Sequence, residues 1–159
     1  MVEGTARIKK VNQSRFQKLL GFFLKLSTLG FAAILIRIVV LADMGTLPRF
    51  TARLYRIPYA DKAGHFILFG ILTLLINLSL FYSYPKQDPK RLILTSGLFL
   101  AFLMAVEEFS QRFFANRTFD LSDLAAGCLG VIFFSLIAIG VHSLSKVWGR
   151  TPGSSRHQH

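Results

Sequence analysis

Eight polar side chains stand at or near the ends of apolar runs, where an ionisable group is expensive and needs a reason. They lie in three short segments, YADKAGH, VEEFSQR and ANRTFDLSD. Carboxylates beside a histidine can act as general acids and bases, and cationic side chains can hold an anionic group. The catalytic candidates are His65, Glu108 and Asp123. The candidate binding residues are Asp61, Lys62, Gln111, Arg117 and Asp120.

The composition places the chain among membrane proteins. Its 159 residues suit one domain, and 52% of them are hydrophobic, with a mean hydropathy of +0.47. That is more apolar than an ordinary soluble domain. The net charge of +11 would suit nucleic acid in a soluble protein, but here the Lys and Arg residues flank apolar runs, which favours a membrane surface. We therefore expect membrane lipids as partners and no nucleic acid.

Four apolar runs have about the length that a helix needs to cross a membrane, which is about 20 residues. They cover residues 20–41, 63–81, 92–114 and 121–144, with prolines, glycines and charges between them. The predicted fold class is all-α, an integral membrane bundle of four transmembrane helices.

The chain divides into three parts by composition. Residues 1–19 form a basic cytoplasmic arm, residues 20–145 form the four-helix membrane domain, and residues 146–159 form a polar tail that we expect to be disordered. Between the first two runs, residues 42–61 mix arginines with aromatic residues. This mixture is typical of a segment that lies on lipid headgroups.

The Lys and Arg distribution predicts the orientation of the bundle. Four spans place both termini on the same side, and twelve of the 19 Lys and Arg residues belong to that side. By the positive-inside rule, the N- and C-termini of this multi-pass protein are cytoplasmic. The three polar segments then lie together at the outer face.

This topology predicts specific contacts between helices. His65 lies one helical turn after Asp61 on the same face. Arg37 lies about as deep in the first span as Glu107 lies in the third, so we expect these two to form a salt bridge within the membrane. Through Arg37, the first helix would contribute to the same end of the bundle as the other three.

Each polar residue also has a simpler structural interpretation. Asp61 can cap a helix and Lys62 can anchor at the interface. Asp120 and Asp123 suit the positive N-terminal end of the last helix, with Arg117 paired to one of them. A carboxylate as deep as Glu108 is costly if it faces lipid, so it should face the bundle.

The order of the polar residues resembles a known family. D-K-x-x-H covers residues 61–65, E-x-x-Q covers residues 108–111, and R-x-x-D-x-x-D covers residues 117–123. Followed by Gly130, this order looks like the VanZ-like family of small bacterial membrane proteins, over about residues 43–140. The chain departs from the family pattern at Gly127, where the family commonly has an Asn.

The resemblance implies a helical protein of the bacterial cytoplasmic membrane that acts on cell-envelope material. The founding member of that family lowers susceptibility to the glycopeptide antibiotic teicoplanin. A lipid-linked envelope precursor or a glycopeptide is therefore the expected partner, and Lys62 and Arg117 would supply the contacts to an anionic group.

Two other functions stay open at this point. The first is a membrane enzyme for a lipid-linked or phosphorylated envelope substrate, with His65 and Glu108 as the acid and base. The second is proton or ion transport, which also uses buried carboxylates, but the polar residues are concentrated at one side. A His with three carboxylates could hold a divalent cation, but the spacing matches no recognised metal signature. We therefore expect no metal and no cofactor.

Overall fold

The computed structural model describes residues 2–48, 57–115 and 117–148, and the described residues are helices and short connections. The four long helices are α1 (Val2–Asp43), α2 (Ala60–Ser83), α3 (Pro89–Ser110) and α4 (Leu121–Trp148). A 3-10 turn, Gln111–Phe113, continues α3. The all-α prediction is confirmed.

All four helices are long and apolar enough to cross a membrane, over Gln17–Asp43, Ala60–Ser83, Pro89–Phe113 and Leu121–Lys146. The predicted spans are therefore confirmed, with ends that differ by a few residues. The start of the basic arm, from Val2 onward, is the beginning of α1. Part of the interfacial segment predicted over residues 42–61, namely residues 49–56, lies outside the described residues, as do residues 149–159 of the predicted tail.

Local sequence sets where α3 begins. Asp88 precedes the helix in an extended conformation, and its side chain accepts a hydrogen bond from the backbone N–H of Lys90 at 3.0 Å. Pro89 occupies the first helical position, where a missing N–H does no harm. Asp88 and Pro89 thus fix the residue at which α3 begins after the short turn that follows α2.

Helix α2 is the centre of the bundle, because it packs against α1, α3 and α4. The main apolar core joins the four helices through Leu35, Phe69, Leu100 and Val131. Large apolar side chains such as Phe22 and Phe102 are instead exposed on the outside of the bundle. This apolar exterior suits surrounding lipid and not water.

Small residues let α2 and α4 approach closely. A Cβ added at Gly130 would overlap the backbone carbonyl of Phe66, and a Cβ added at Gly70 would overlap the ring of Phe134. Letting a neighbouring helix pack this closely is the usual role of glycine in membrane helices. The two glycines thereby fix how far α4 stands from α2.

A buried hydrogen-bonded clamp joins three helices deep in the bundle. Ser96 on α3 donates to the side-chain oxygen of Asn77 on α2 at 2.7 Å, and the Asn77 amide donates to Ser135 on α4 at 3.2 Å. Asn77 is fully buried. This clamp and the glycine contacts hold the ends of α2, α3 and α4 in fixed relative positions.

Candidate functional site

Because the helices alternate in direction, the end of α1, the start of α2, the end of α3 and the start of α4 meet at one end of the bundle. Among the described residues, ten polar side chains that contact one another come together there, and we call them the polar cluster: Asp43, Asp61, Lys62, His65, Glu107, Glu108, Gln111, Arg117, Asp120 and Asp123. All eight site residues predicted from the sequence belong to it. It also holds six of the eight acidic residues of a chain whose net charge is +11.

Lys62 occupies the centre of one half of the cluster. Its ammonium lies 2.8 Å from Asp120 Oδ2, 3.1 Å from Asp123 Oδ1 and 3.5 Å from Asp61 Oδ2. It therefore joins the start of α2 to the start of α4. The interfacial-anchor interpretation of Lys62 does not describe this geometry, since its charge is directed at carboxylates.

Asp120 combines two roles. Its Oδ1 accepts the backbone N–H of Ser122 at 2.8 Å, which is the N-cap contact predicted for α4. Its Oδ2 accepts a hydrogen bond from Lys62, and that contact is the main reason that the pKa of Asp120 is lowered to about 2. Asp61, by contrast, lies in the first turn of α2 and not before it, and its Oδ1 accepts the neighbouring backbone N–H of Lys62 at 2.9 Å.

Arg117 organises the other half of the cluster. Its Nη2 donates to Glu107 Oε1 at 3.3 Å, and its Nε lies 3.8 Å from Asp43 Oδ1 at the end of α1. The predicted pairing of Arg117 with Asp120 or Asp123 is therefore wrong. The predicted pair of Arg37 with Glu107 is also wrong, because Arg37 is exposed on the outside of the bundle.

His65 lies between the two halves with a defined orientation. Its ring packs parallel to that of Phe69, and its Nδ1 lies 3.0 Å from the backbone carbonyl of Asp61. A carbonyl can only accept, so Nδ1 carries the proton and donates it. The other nitrogen, Nε2, lies 3.8 Å from Glu107 Oε2 and 4.0 Å from Glu108 Oε2. The ring is therefore linked to the backbone of Asp61 and not to its carboxylate.

Glu108 is the most buried acid of the cluster, at 1% exposure. Its Oε1 accepts the backbone N–H of Asp120, and its Oε2 accepts a hydrogen bond from Gln111 Nε2 at 3.1 Å. Gln111 also donates to Glu107 Oε1 at 3.0 Å. The prediction that Glu108 faces the bundle is confirmed, and these bonds tie the end of α3 to the start of α4.

The described part of the cluster is rich in negative charge. Six carboxylates surround two permanently charged cations, Lys62 and Arg117, and both cations already contact carboxylates. A cavity of about 40 Å³ reaches Asp61, His65, Glu107 and Arg117 from the α1 side. It has room for water, so a larger group would have to bind at the open face of the cluster.

Two observations were not predicted from the sequence. Asp43 belongs to the cluster. Its position just after the first apolar run is the sequence feature from which this could have been predicted. Gly127 is buried against Met104, whose sulfur would lie 2.6 Å from an added Cβ. An Asn at this position would therefore have to displace the Met104 side chain.

Comparison with known proteins finds a distant similarity. An uncharacterized protein of Schizosaccharomyces pombe is 31% identical to this chain over 111 residues. The matched stretch covers 70% of this chain and 63% of the yeast protein, so the chain spans less than two thirds of that relative. No protein-family profile matches the chain, and no solved structure matches it.

Proposed function

We propose that this chain is a VanZ-like multi-pass membrane protein whose polar cluster binds the headgroup of a lipid-linked molecule at the membrane surface. In this proposal the membrane is the bacterial cytoplasmic membrane, the cluster faces outward, and both termini are cytoplasmic. The bound molecule is cell-envelope material such as a lipid-linked precursor, and the effect on the cell is lower susceptibility to glycopeptides of the teicoplanin type.

The observation that carries the proposal is the convergence of the polar segments. The segment at residues 61–65 meets the segments at residues 107–111 and 117–123, more than 40 residues later in the sequence, at one end of an apolar bundle. Charged groups at that depth are kept in membrane proteins mainly where they serve a site. Their position at helix ends gives a polar group access from the membrane surface, while the lipid tail stays in the hydrocarbon region.

The charge of the cluster indicates which kinds of headgroup it can bind. Because Lys62 and Arg117 already contact carboxylates, a phosphate would have to compete with those carboxylates for them. Hydroxyl-rich or amine-bearing headgroups can instead donate hydrogen bonds to the carboxylates directly. We therefore expect sugar- or amine-bearing lipids to bind more tightly than lipids that carry a phosphate alone.

Thermal melting with defined lipids tests this proposal. We would compare the wild-type protein and the Asp123→Asn variant in detergent, each with an amine-bearing phospholipid, a glycosylated polyprenyl phosphate and the bare polyprenyl phosphate. The matched control is Asp88→Asn, at the opposite end of the bundle, because Asn caps a helix as well as Asp does. Stabilisation of the wild type and the control but not of Asp123→Asn supports the proposal. Equal stabilisation of all three proteins contradicts it.

A cellular measurement tests the antibiotic part separately. Expression of the wild-type chain in a teicoplanin-susceptible bacterium should raise the inhibitory concentration, and Glu108→Gln should abolish the increase at equal protein level. No increase with the wild type would remove the antibiotic role and leave headgroup binding as a separate question.

A membrane enzyme is the second candidate, and the geometry of His65 favours it. Its Nε2 lies 3.8 Å from Glu107 and 4.0 Å from Glu108, and a shortening of either distance by about 1 Å would bring the two groups within reach for proton transfer. An enzyme would change the bound lipid with time, and His65→Ala would stop that change while the protein stayed folded. A binding protein would return the lipid unchanged, as mass spectrometry of the extracted lipid would show.

A further inference from the structure

We infer that His65, Glu108 and Asp123 form a binding site for one divalent transition-metal ion. The three residues belong to the polar cluster, but the inference does not depend on headgroup binding, because all three donors come from the protein itself. The ion would lie where α2, α3 and α4 meet.

The donor atoms are already close together. One ligand atom from each of the three side chains lies within 4.8 Å of the other two. Glu108 is 1% exposed and Asp123 is 6% exposed, so water cannot readily screen their charges from each other. Only small movements would bring the three atoms to the 2.0–2.2 Å distances that Zn²⁺ requires, about 3.3 Å from one another.

The orientation of His65 favours a cation between its Nε2 and the neighbouring carboxylates. Its Nδ1–H is used by the carbonyl of Asp61, so the lone pair of a neutral ring is on Nε2. That lone pair faces carboxylate oxygens of Glu107 and Glu108 at 3.8 and 4.0 Å, and Nε2 has no hydrogen bond within the described part of the chain. A lone pair facing anionic oxygens is repelled unless a proton or a metal ion lies between them. Metal-bound histidines commonly have this second-shell arrangement, with the far N–H donated to a carbonyl.

A second set of three carboxylates in the cluster is excluded as the metal site. Asp61, Asp120 and Asp123 also place ligand atoms within 4.8 Å of one another. However, the ammonium of Lys62 already contacts all three at 2.8 to 3.5 Å and occupies the place of a cation. The structure therefore favours the site that includes His65, in which Asp123 can use the oxygen that Lys62 does not contact.

The donor set selects the kind of ion. One imidazole nitrogen and two carboxylate oxygens suit Zn²⁺ or Mn²⁺, whereas Ca²⁺ and Mg²⁺ prefer oxygen donors alone. Three protein ligands leave at least one coordination position for water or a bound group. We therefore expect Zn²⁺ to bind more tightly than Mg²⁺ by at least about tenfold.

Calorimetric titration of the purified full chain with Zn²⁺ alone tests the inference. The protein would carry no histidine tag, would be stripped with a chelator in detergent, and would be free of added lipid. The expected result is one ion per chain, with binding at least about tenfold weaker in Glu108→Gln and Asp123→Asn. A Co²⁺ absorption spectrum of the wild type that changes in His65→Ala would report the nitrogen ligand directly, which a merely structural effect would not do.

Controls separate this site from other sources of binding. Asp88→Asn should bind the ion like the wild type, and so should a double variant of the tail, His157→Ala with His159→Ala, which removes two other potential ligands. Each site variant is first melted in chelator to establish that it folds without the ion. Glu108→Asp, which keeps a carboxylate, should bind the ion more tightly than Glu108→Gln does. The inference is overturned if the stripped wild type binds no stoichiometric ion, if the site variants bind as well, or if the tail variant alone loses binding.

Discussion

Arg117 gives the sharpest test of how the polar cluster is built. Its guanidinium joins Glu107 at the end of α3 to Asp43 at the end of α1, and the side chains of the three residues are only 11 to 16% exposed. Removing one partner of a buried ion pair costs about 3 to 5 kcal/mol, because a charge is left uncompensated. Since some exposure remains, we expect Arg117→Gln to lower the free energy of unfolding by about 3 kcal/mol, the lower end of that range.

The assay is unfolding in mixed micelles, with SDS as the denaturant and circular dichroism as the readout. The matched control is Arg112→Gln, because Arg112 is exposed and its guanidinium stacks on the rings of Phe109 and Phe119. Loss of these contacts should cost about 0.5 to 1 kcal/mol. Adding Asp43→Asn to Arg117→Gln should restore part of the stability, because it removes the unpaired charge.

An Arg117→Gln variant that is as stable as the wild type and has lost only its response to lipid would contradict these pairings. In that case Arg117 would be a ligand contact, as its sequence context first indicated, and its pairs with Glu107 and Asp43 would contribute little. A double variant no more stable than Arg117→Gln alone would likewise contradict the pairing with Asp43.

Three further predictions concern the packing and the charge of the bundle. Gly130→Ala should destabilise by at least about 1 to 3 kcal/mol in the same unfolding assay, because its Cβ meets a backbone carbonyl. Gly140→Ala, with nothing within 4 Å, should be neutral or stabilising. Asn77→Ala loses two interhelical hydrogen bonds and should cost about 1 to 3 kcal/mol, whereas Thr95→Ala on the exposed side should cost less than about 0.5 kcal/mol. The lowered pKa of Asp120, about 2, means that its ionised form stabilises the folded state above the unfolded pKa of about 4. The melting-temperature difference between the wild type and Asp120→Asn should thus stay constant from pH 8 to 5 and shrink as the pH falls from about 4 towards 2. A difference that already shrinks at pH 6 would contradict the assignment of this stabilisation to ionised Asp120.

The four spans and the position of the cluster were predictable because they depend on one-dimensional properties. Apolar length decides what can cross a membrane, and the alternating direction of consecutive spans decides which ends meet. The sequence could therefore indicate that the starts of α2 and α4 meet the end of α3. These facts required no knowledge of how each helix is rotated about its axis.

The individual pairs were not predictable, because they depend on that rotation. The sequence places Arg37 and Glu107 at equal depth, but the membrane-spanning part of α1, Gln17–Asp43, is apolar on most of its surface, so its sequence does not determine which face meets α2. The structure turns Arg37 outward. The predicted first span ends at residue 41, yet α1 continues to Asp43, and this places its carboxylate beside Arg117. Which cation contacts which acid was likewise set by the connection between α3 and α4, whose path the sequence does not reveal.

The central claim is that the polar cluster binds the headgroup of a lipid, and site-specific photo-crosslinking in native membranes tests it most directly. A photoreactive residue would replace Phe113, which is 77% exposed beside the cluster, or Tyr84, which is 50% exposed at the opposite end. The claim predicts that one lipid class is captured at position 113 and not at position 84, and that Asp123→Asn abolishes this capture. The same mixture of bulk lipids at both positions, unchanged by Asp123→Asn, would contradict it.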